Sequence, residues 1–265
     1  MTTQLDFDKR QMNRKTAVVT GVSRLKGIGF SICRELAKKN FDVFFTYWTN
    51  YDNQMPWKVG FDEPTLIQTE IRKHGVNCEK LELDLSLANS TELLFNEVQN
   101  KLGRASVLVN NATYSTQTDV DSFSATELDK HYEINVKATT LLTIEFVRRF
   151  DLGRGGRIIN LTSGQSLGEM SNEIAYAITK GAIETLTKTI SQKIAAKGIT
   201  INAVNPGPTD TGWMDEKLTA LILEKSPMGR IGTPKDAAQL ISFLAGDEAE
   251  WITGQIIHSE GGFTR

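Results

Sequence analysis

The chain has 265 residues, of which 40% are hydrophobic and 21 are glycine, so it can bury a large core and form many tight turns. The 30 lysines and arginines against 32 aspartates and glutamates give a formal net charge of −2, which argues against a nucleic-acid or anionic-membrane surface. The sequence lacks an apolar run of the roughly 18 residues that cross a membrane, and its polar start lacks a signal peptide, so a cytoplasmic protein is expected.

Cysteine and histidine are too sparse and scattered to suggest a disulfide framework or a metal centre. Cys33 and Cys78 lie in apolar segments and indicate buried thiols rather than a disulfide framework. His74, His131 and His258 lack the spacing of metal ligands, so no metal site is predicted.

Strand-like apolar runs alternate with helical patterns along the chain. Strands are predicted at 16–20, 42–46, 81–85, 107–110, 157–162, 200–204 and 255–258. Helices are predicted near 28–39, 63–74, 90–102, 125–149, 173–196 and 234–245. Repeated alternation of this kind implies an α/β fold, a doubly wound domain over residues 1–265 with a central parallel sheet of about seven strands.

Two connections are longer than the rest. Residues 47–64 carry several aromatic side chains, which either pack as an ordinary loop or cover a ligand. These aromatic residues include Trp48, Tyr51, Trp57 and Phe61. Residues 212–230 form an irregular stretch with a short helix, interpreted as a substrate lid.

A glycine-rich turn, Thr20-Gly-Val-Ser-Arg-Leu-Lys-Gly-Ile-Gly29, lies between the first predicted strand and the first predicted helix. Glycines at Gly21 and Gly27 permit a tight turn and let backbone amides approach a pyrophosphate at the positive end of the helix. The sequence therefore predicts dinucleotide binding at this end of the sheet.

A second motif provides proton-transfer groups. Tyr176 and Lys180 are four residues apart, so on a helix they share one face. An ammonium at that distance favours the phenolate and would lower the tyrosine pKa, which suits a proton donor or acceptor at a carbonyl or alcohol oxygen. Ser163 follows a predicted strand, at the edge where open α/β sheets place their chemistry. Taken alone, the spacing is more typical of a surface pair on a helix, and the accompanying motifs decide its interpretation.

In this order and spacing the motifs resemble the short-chain dehydrogenase/reductase family over essentially the whole chain, and most closely its 3-oxoacyl-[acyl-carrier-protein] reductase-type members. The matching positions are the glycine-rich turn, Asp84, Asn110-Asn111-Ala112, Asn135, Ser163, Tyr176 with Lys180, and Pro206-Gly207. The resemblance implies a single Rossmann domain that binds a nicotinamide dinucleotide.

The chain departs from the family pattern at three places. Five residues separate Gly21 from Gly27 where the family usually has three, Thr113 replaces a glycine, and Ser106 replaces an aspartate. Similar insertions in the turn occur in enoyl reductases of this superfamily. Those enzymes have a wider tyrosine–lysine spacing, and the four-residue step here favours carbonyl reduction.

The resemblance implies four catalytic residues. Tyr176 would be the general acid in reduction, Lys180 would lower its pKa and hold the nicotinamide ribose, and Ser163 would hydrogen-bond the substrate oxygen. Asn135 would support a water-linked proton path to Lys180, or would instead bond backbone at a helix kink.

The implied cofactor contacts extend along the carboxyl edge of the sheet. Asp84 and Leu85 would contact the adenine, although Asp84 could simply cap the segment before Ser86. Pro206, Gly207, Thr209 and Thr211 would surround the carboxamide, or form a plain proline turn. The remaining predicted contacts are Gly21, Ser23, Arg24, Gly27, Ile28, Asn111, Ala112, Tyr176 and Lys180.

The second predicted strand suggests which dinucleotide binds. NAD preference usually needs a carboxylate at the end of this strand, and none occurs from Thr46 until Asp52. Ser23, Arg24 and Lys26 offer groups suited to a 2′-phosphate, so NADP(H) is favoured over NAD(H). The alternative is that the two cations are solvated loop charges.

The expected function is hydride transfer between NADP(H) and a small-molecule carbonyl or secondary alcohol, a 3-oxoacyl thioester being one candidate. The alternatives are an NAD-linked sugar, polyol or steroid dehydrogenase, and a nucleotide-sensing protein without chemistry. Helices 125–149 and 173–196 carry more apolar positions than one face needs. The resemblance implies that they pair across a two-fold axis in a homotetramer, with a homodimer as the second choice.

Overall fold

A parallel sheet of seven strands forms the centre of the computed structural model, which describes residues 14–264 apart from 56, 58–59 and 61. The strands are β1 (Thr16–Val19), β2 (Asp42–Tyr47), β3 (Cys78–Glu82), β4 (Ala105–Asn110), β5 (Gly156–Leu161), β6 (Ile199–Asn205) and β7 (Ile256–His258). Their order is β3-β2-β1-β4-β5-β6-β7, so the winding reverses between β1 and β4. A crevice is expected at the carboxyl ends of the strands at this point.

Helices cover both faces of the sheet. They are α1 (Ile28–Lys38), α2 (Thr49–Gln54), α3 (Glu63–Arg72), α4 (Ser90–Leu102), α5 (Ala125–His131), α6 (Thr139–Arg149), α7 (Ile174–Ala195), α8 (Glu216–Glu224) and α9 (Pro234–Leu244). One hydrophobic core contains Ile32, Ile67 and Ile241 from α1, α3 and α9. A second contains Leu94 and Leu142 from α4 and α6, so the predicted doubly wound fold is confirmed.

The third strand begins earlier than the sequence predicts. Residues 81–85 were expected, whereas Cys78–Glu82 pairs with Val43–Tyr47 of β2. This strand is at the edge of the sheet, and its charged Glu79 and Lys80 hide the apolar pattern that marks a central strand. Leu83 and Leu85 are buried, but they lie in the core beyond the end of the strand.

The long helix predicted over 125–149 is interrupted. A π-helical segment, Tyr132–Ala138, separates α5 from α6 and contains Asn135. Residues 47–64, expected as a plain connection, contain the short helix α2; Phe61 lies outside the described residues. The short helix expected within 212–230 is α8, whose N-cap Asp215 accepts a hydrogen bond from the Leu218 amide.

Cys33 and Cys78 are buried with free thiols, as the sequence predicts. Within the described part of the chain, no helix is both long and apolar enough to cross a membrane.

Candidate active site

A cavity of about 1030 Å³ opens along the carboxyl ends of the strands. The residues predicted to contact the cofactor line it, with the exceptions of Lys180 and Lys26. These lining residues are Gly21, Ser23, Arg24, Gly27, Ile28, Asp84, Leu85, Asn111, Ala112, Tyr176, Pro206, Gly207, Thr209 and Thr211. Ser163 lines it as well, so one cavity joins the glycine-rich turn to the proton-transfer motif.

The glycine-rich turn is held close to the residues that follow β4, the strand next to β1 in the sheet. Gly21 has φ +73, and a Cβ added there would lie 2.6 Å from the Ala112 Cα, so only glycine fits. The Asn111 side chain donates hydrogen bonds of 2.8 Å to the carbonyl oxygens of Thr20 and Gly21. Asn111 therefore fixes the turn as well as lining the cavity.

The first helix begins directly after this turn. Its N-cap residue is Gly27, which has no side chain that could cap the first turn of α1. Gly27 and Ile28 both line the cavity. Backbone N–H groups at an uncapped helix N-terminus bind anions such as a pyrophosphate. The donor set at this end of the cavity therefore fits a dinucleotide.

Arg24 projects from the inserted part of the turn and joins three segments. Its Nη1 donates a 3.0 Å hydrogen bond to the Thr211 carbonyl oxygen, and its Nε lies 3.6 Å from Asp52 Oδ1. Its guanidinium lies 4.6 Å from the centroid of the Trp57 ring. Burial lowers the pKa of Arg24, and the negative charges of Asp52 and Glu63 oppose that shift. Arg24 is thus not a solvated loop charge, whereas Lys26 is exposed and does not line the cavity.

Tyr176 and Lys180 lie on α7, as predicted. Lys180 is buried, its Nζ donates a 2.9 Å hydrogen bond to the Leu161 carbonyl oxygen, and it lies 5.3 Å from the centroid of the Tyr176 ring. Burial lowers the pKa of Lys180 to about 8, so the ammonium still predominates at neutral pH. Because Tyr176 lines the cavity, this charge lies directly behind a group that faces bound ligands.

Ser163 follows β5 in a segment that α7 holds in place. The carboxylate oxygen Oε1 of Glu184 accepts hydrogen bonds from Gln165 Nε2 at 2.6 Å and from the hydroxyls of Thr162 and Ser166 at 3.3 Å. These three residues flank Ser163 on both sides. The sequence interpretation missed Glu184, although its position one helical turn after Lys180 places it on the same face of α7.

Asn135 uses its whole side chain to hold the segment after β4. Its Oδ1 accepts from the Thr113 hydroxyl at 3.0 Å and from the Tyr114 amide at 2.8 Å. Its Nδ2 donates to the Tyr114 carbonyl oxygen at 2.9 Å and to the Thr179 hydroxyl at 3.0 Å. An asparagine amide has two donors and two acceptor sites, and these bonds use all of them. The side chain therefore bonds the segment after β4 and α7, and the water-linked path from Asn135 to Lys180 stays a prediction.

The same segment also positions the start of α7. The Thr118 carbonyl oxygen accepts from the Ile174 amide at 2.9 Å, and its hydroxyl accepts from the Ala175 amide at 3.0 Å.

Buried His131 accepts at Nε2 from the Thr116 amide, at 3.3 Å, and contacts the Glu127 carbonyl oxygen through Nδ1. Burial lowers the pKa of His131, which favours the neutral ring that this geometry needs. This role of His131 was not predicted from the sequence.

Two predicted cofactor positions also make local contacts. Asp84 accepts hydrogen bonds from the backbone N–H and the hydroxyl of Ser86, at 2.9 and 2.7 Å, as the capping alternative predicts. Asp84 also lines the cavity. The Thr209 hydroxyl contacts the carbonyl oxygens of Pro206 and Gly207 within its own turn. The Thr211 carbonyl, as described, accepts from Arg24.

Large apolar side chains complete the wall. Trp48, Tyr51 and Trp57 of the aromatic connection line the cavity, which favours the ligand-covering alternative for that segment. From the other side come Met170, Trp213, Leu218, Ile222 and Phe263, with Leu218 and Ile222 contributed by α8. The Trp213 indole is fixed by a 3.0 Å hydrogen bond to the Thr209 carbonyl oxygen.

The doubly wound sheet, with its glycine-rich turn and Tyr176 on one cavity and Lys180 behind Tyr176, is the arrangement of the short-chain oxidoreductases, and comparisons with known proteins agree. The family model described as enoyl-(acyl carrier protein) reductase matches residues 21–264. The chain belongs to the short-chain dehydrogenase/reductase family, as its motifs predict.

Individual relatives share nearly the full length. The chain is 49% identical to the uncharacterized oxidoreductase YjdA of Bacillus subtilis, over 95% of this chain and 97% of the relative. It is 33% identical to the 3-oxoacyl-[acyl-carrier-protein] reductase FabG of Staphylococcus epidermidis, over 94% and 98% of the two chains. A short-chain dehydrogenase/reductase from Serratia marcescens superposes with a TM-score of 0.85 at 27% identity, covering 96% and 100%.

Proposed function

We propose that the protein transfers a hydride between NADP(H) and an uncharged carbonyl compound or the matching secondary alcohol. The observation that carries this proposal is the single cavity that runs from the anion-binding start of α1 to Tyr176 and Ser163. Both the dinucleotide and a carbonyl oxygen need to be held in one enclosed space for the reaction to occur.

In the proposed reduction, Tyr176 gives its hydroxyl proton to the substrate oxygen, and in the oxidation it takes that proton back. The buried Lys180 ammonium stabilises the phenolate that remains, and the Ser163 hydroxyl donates a hydrogen bond to the developing oxyanion. The nicotinamide, when bound, supplies or accepts the hydride. Glu184 and Asn135 hold the segments that carry these groups.

The cofactor is assigned to NADP(H) on the chemistry of the adenosine end. Strand β2 ends at Tyr47 without a carboxylate for a ribose hydroxyl, while Ser23 and the Arg24 guanidinium lie on the same cavity. A guanidinium binds a phosphate through charge-assisted hydrogen bonds. Asp84 and Leu85 would hold the adenine, and the segment Pro206–Thr211 the carboxamide.

The substrate is proposed to be apolar around its carbonyl group. Met170, Trp213 and Phe263 supply apolar wall, and α8 with its flanking residues would act as the lid. A 3-oxoacyl thioester fits this description, and the resemblance to FabG supports it; apolar ketones and aldehydes fit as well.

We also propose that the chain assembles as a homotetramer, with a homodimer as the second choice. Ile178 on α7, Leu141 on α6 and Tyr132 on the π-helical segment are 56, 44 and 51% exposed. Apolar side chains on adjacent helices that point away from the core support an interface between copies.

The test is a panel of ketones, aldehydes, 3-oxoacyl thioesters and secondary alcohols, each assayed with NADPH and NADH by the change in nicotinamide absorbance. Turnover of at least one apolar carbonyl compound with NADPH is expected. Tight dinucleotide binding without turnover of any compound would instead identify a nucleotide-sensing protein.

A further inference from the structure

The guanidinium of Arg24, which the proposed function places at the phosphate end of NADP(H), already has an acidic neighbour. Asp52 Oδ1 lies 3.6 Å from Arg24 Nε, and both residues line the cavity. Asp52 is the first carboxylate after β2 and lies within the short helix α2. The insertion in the glycine-rich turn and the aromatic connection after β2 therefore meet at an ion pair.

Asp52 is held in this position. Its residue is buried, with an 11% exposed side chain, and its Oδ1 also accepts a 3.1 Å hydrogen bond from the Trp57 indole. The Trp57 ring in turn packs against the Arg24 guanidinium at 4.6 Å. Burial and these two contacts to Oδ1 hold the carboxylate beside Arg24.

The pair changes what Arg24 can do for each dinucleotide. A phosphate monoester carries a charge of about −1.5 to −2 near neutral pH, whereas the ribose hydroxyl in its place is neutral. An unpaired guanidinium attracts the phosphate strongly, but the carboxylate of Asp52, 3.6 Å away, compensates part of its charge. The neutral ribose loses little from this compensation.

We propose that Asp52 is a specificity-determining residue that limits the preference for NADP(H) over NAD(H) by holding Arg24. This inference rests on the proposed function. It differs from the usual carboxylate at the end of β2, because Asp52 acts through the arginine rather than on the ribose. Thr211 continues to orient the guanidinium when the carboxylate is removed, since it binds a different nitrogen.

The experiment is a calorimetric titration of the wild type and Asp52→Asn with NADPH and with NADH, without substrate. The ratio of the NADH and NADPH dissociation constants is expected to rise about tenfold in Asp52→Asn, mainly through tighter NADPH binding. Asp62→Asn is the matched control, because it removes the same charge from an exposed residue whose φ of 60° asparagine adopts readily. An unchanged or lower ratio in Asp52→Asn overturns the proposal.

The same titration in an Arg24→Ala background tests the route. If Asp52 acts through Arg24, adding Asp52→Asn to Arg24→Ala changes the ratio less than twofold; a full tenfold change there overturns the proposal. Asp52→Ser replaces Asp52→Asn if the latter lowers the melting temperature. If the wild type binds neither dinucleotide, the proposed function fails as a whole, an outcome distinct from an unchanged ratio.

Discussion

Lys180 Nζ and the Leu161 carbonyl oxygen are 2.9 Å apart in the interior of the protein. This hydrogen bond joins α7, the helix that carries Tyr176, to β5, the strand that precedes Ser163. The Lys180 ammonium therefore links the two elements that carry the proton donor and the oxyanion-binding hydroxyl. An ammonium this deeply buried costs stability, because burial disfavours the charged form. Lys180 therefore lowers the free energy of unfolding, a cost that is common at residues that serve function.

Replacing Lys180 by methionine is expected to raise the free energy of unfolding at pH 7 by about 2 kcal/mol. Burial lowers the pKa of Lys180 from 10.5 to about 8, which corresponds to a destabilisation of the folded wild type by about 3 kcal/mol. The methionine removes this cost, but it also removes one hydrogen bond that stabilises the wild type by about 1 kcal/mol. Between pH 8 and 10.5 the folded wild type binds fewer protons than the unfolded chain, so its stability rises with pH. The gap between the two proteins should therefore shrink across that window.

Urea unfolding of both proteins at pH 7 and pH 10 measures this gap. Lys188→Met, at an exposed position on the same helix, is the control and should change stability by less than about 0.5 kcal/mol. A Lys180→Met protein that is less stable than the wild type at pH 7 would contradict the assignment of a costly buried charge.

Tyr176→Phe is expected to remove nearly all turnover while leaving the dissociation constant for NADPH within about twofold. The substitution deletes only the hydroxyl that transfers the proton and keeps the ring beside Lys180. Steady-state assays and calorimetric titration separate the two effects. Tyr132→Phe removes a hydroxyl from an exposed tyrosine and should be active. More than about a tenth of wild-type activity in Tyr176→Phe would show that another group supplies the proton.

Features that depend on neighbours along the chain could be predicted from the sequence. The glycine-rich turn and the Tyr176–Lys180 pair were identified because each is encoded by a short spacing that one element carries by itself. The parallel sheet with helices on both faces followed from the alternation of strands and helices. In these cases local geometry and the final structure agree.

Features that depend on distant partners could not be predicted. In the sequence Glu184 is an ordinary charged residue of a helix, and only the folded structure shows that Gln165 and Thr162, in the segment after β5, bind its carboxylate. That the Asn135 side chain bonds Tyr114 could not be predicted, because nothing in the sequence brings these two residues together. The early start of β3 was missed because an edge strand is only half-buried and loses its apolar pattern.

Glu184→Ala is expected to lower kcat by about tenfold to a hundredfold, with little change in cofactor affinity. The alanine leaves Gln165 and the hydroxyls of Thr162 and Ser166 without their shared acceptor, so the segment that carries Ser163 loses its position. Glu184→Gln keeps an acceptor oxygen at the same place and should recover most of the activity. The readout is the separate determination of kcat, KM and the NADPH dissociation constant.

A double-mutant cycle with Ser163→Ala decides whether Glu184 acts through the serine. In that background Glu184→Ala should cost less than about twofold in kcat, because the group that it positions is already absent. A loss of the same size in both backgrounds would mean that Glu184 supports the site in another way.

The proposed assembly predicts that a charge at the centre of the apolar face on α7 will separate the subunits. Ile178 lies two residues from Tyr176, is 56% exposed, and would be buried between copies of the helix. Ile178→Glu should therefore give a monomer of 29.4 kDa with reduced activity, since α7 loses the support of its neighbour.

Light scattering at micromolar concentration, paired with activity, measures both effects. Leu66→Glu, which places the same charge on a half-exposed leucine of α3, is the control and should keep the assembly of the wild type. A wild type that is itself a fully active 29.4 kDa species would refute the proposed tetramer. In that case the exposed side chains of α6 and α7 would not be an interface on which the active site depends.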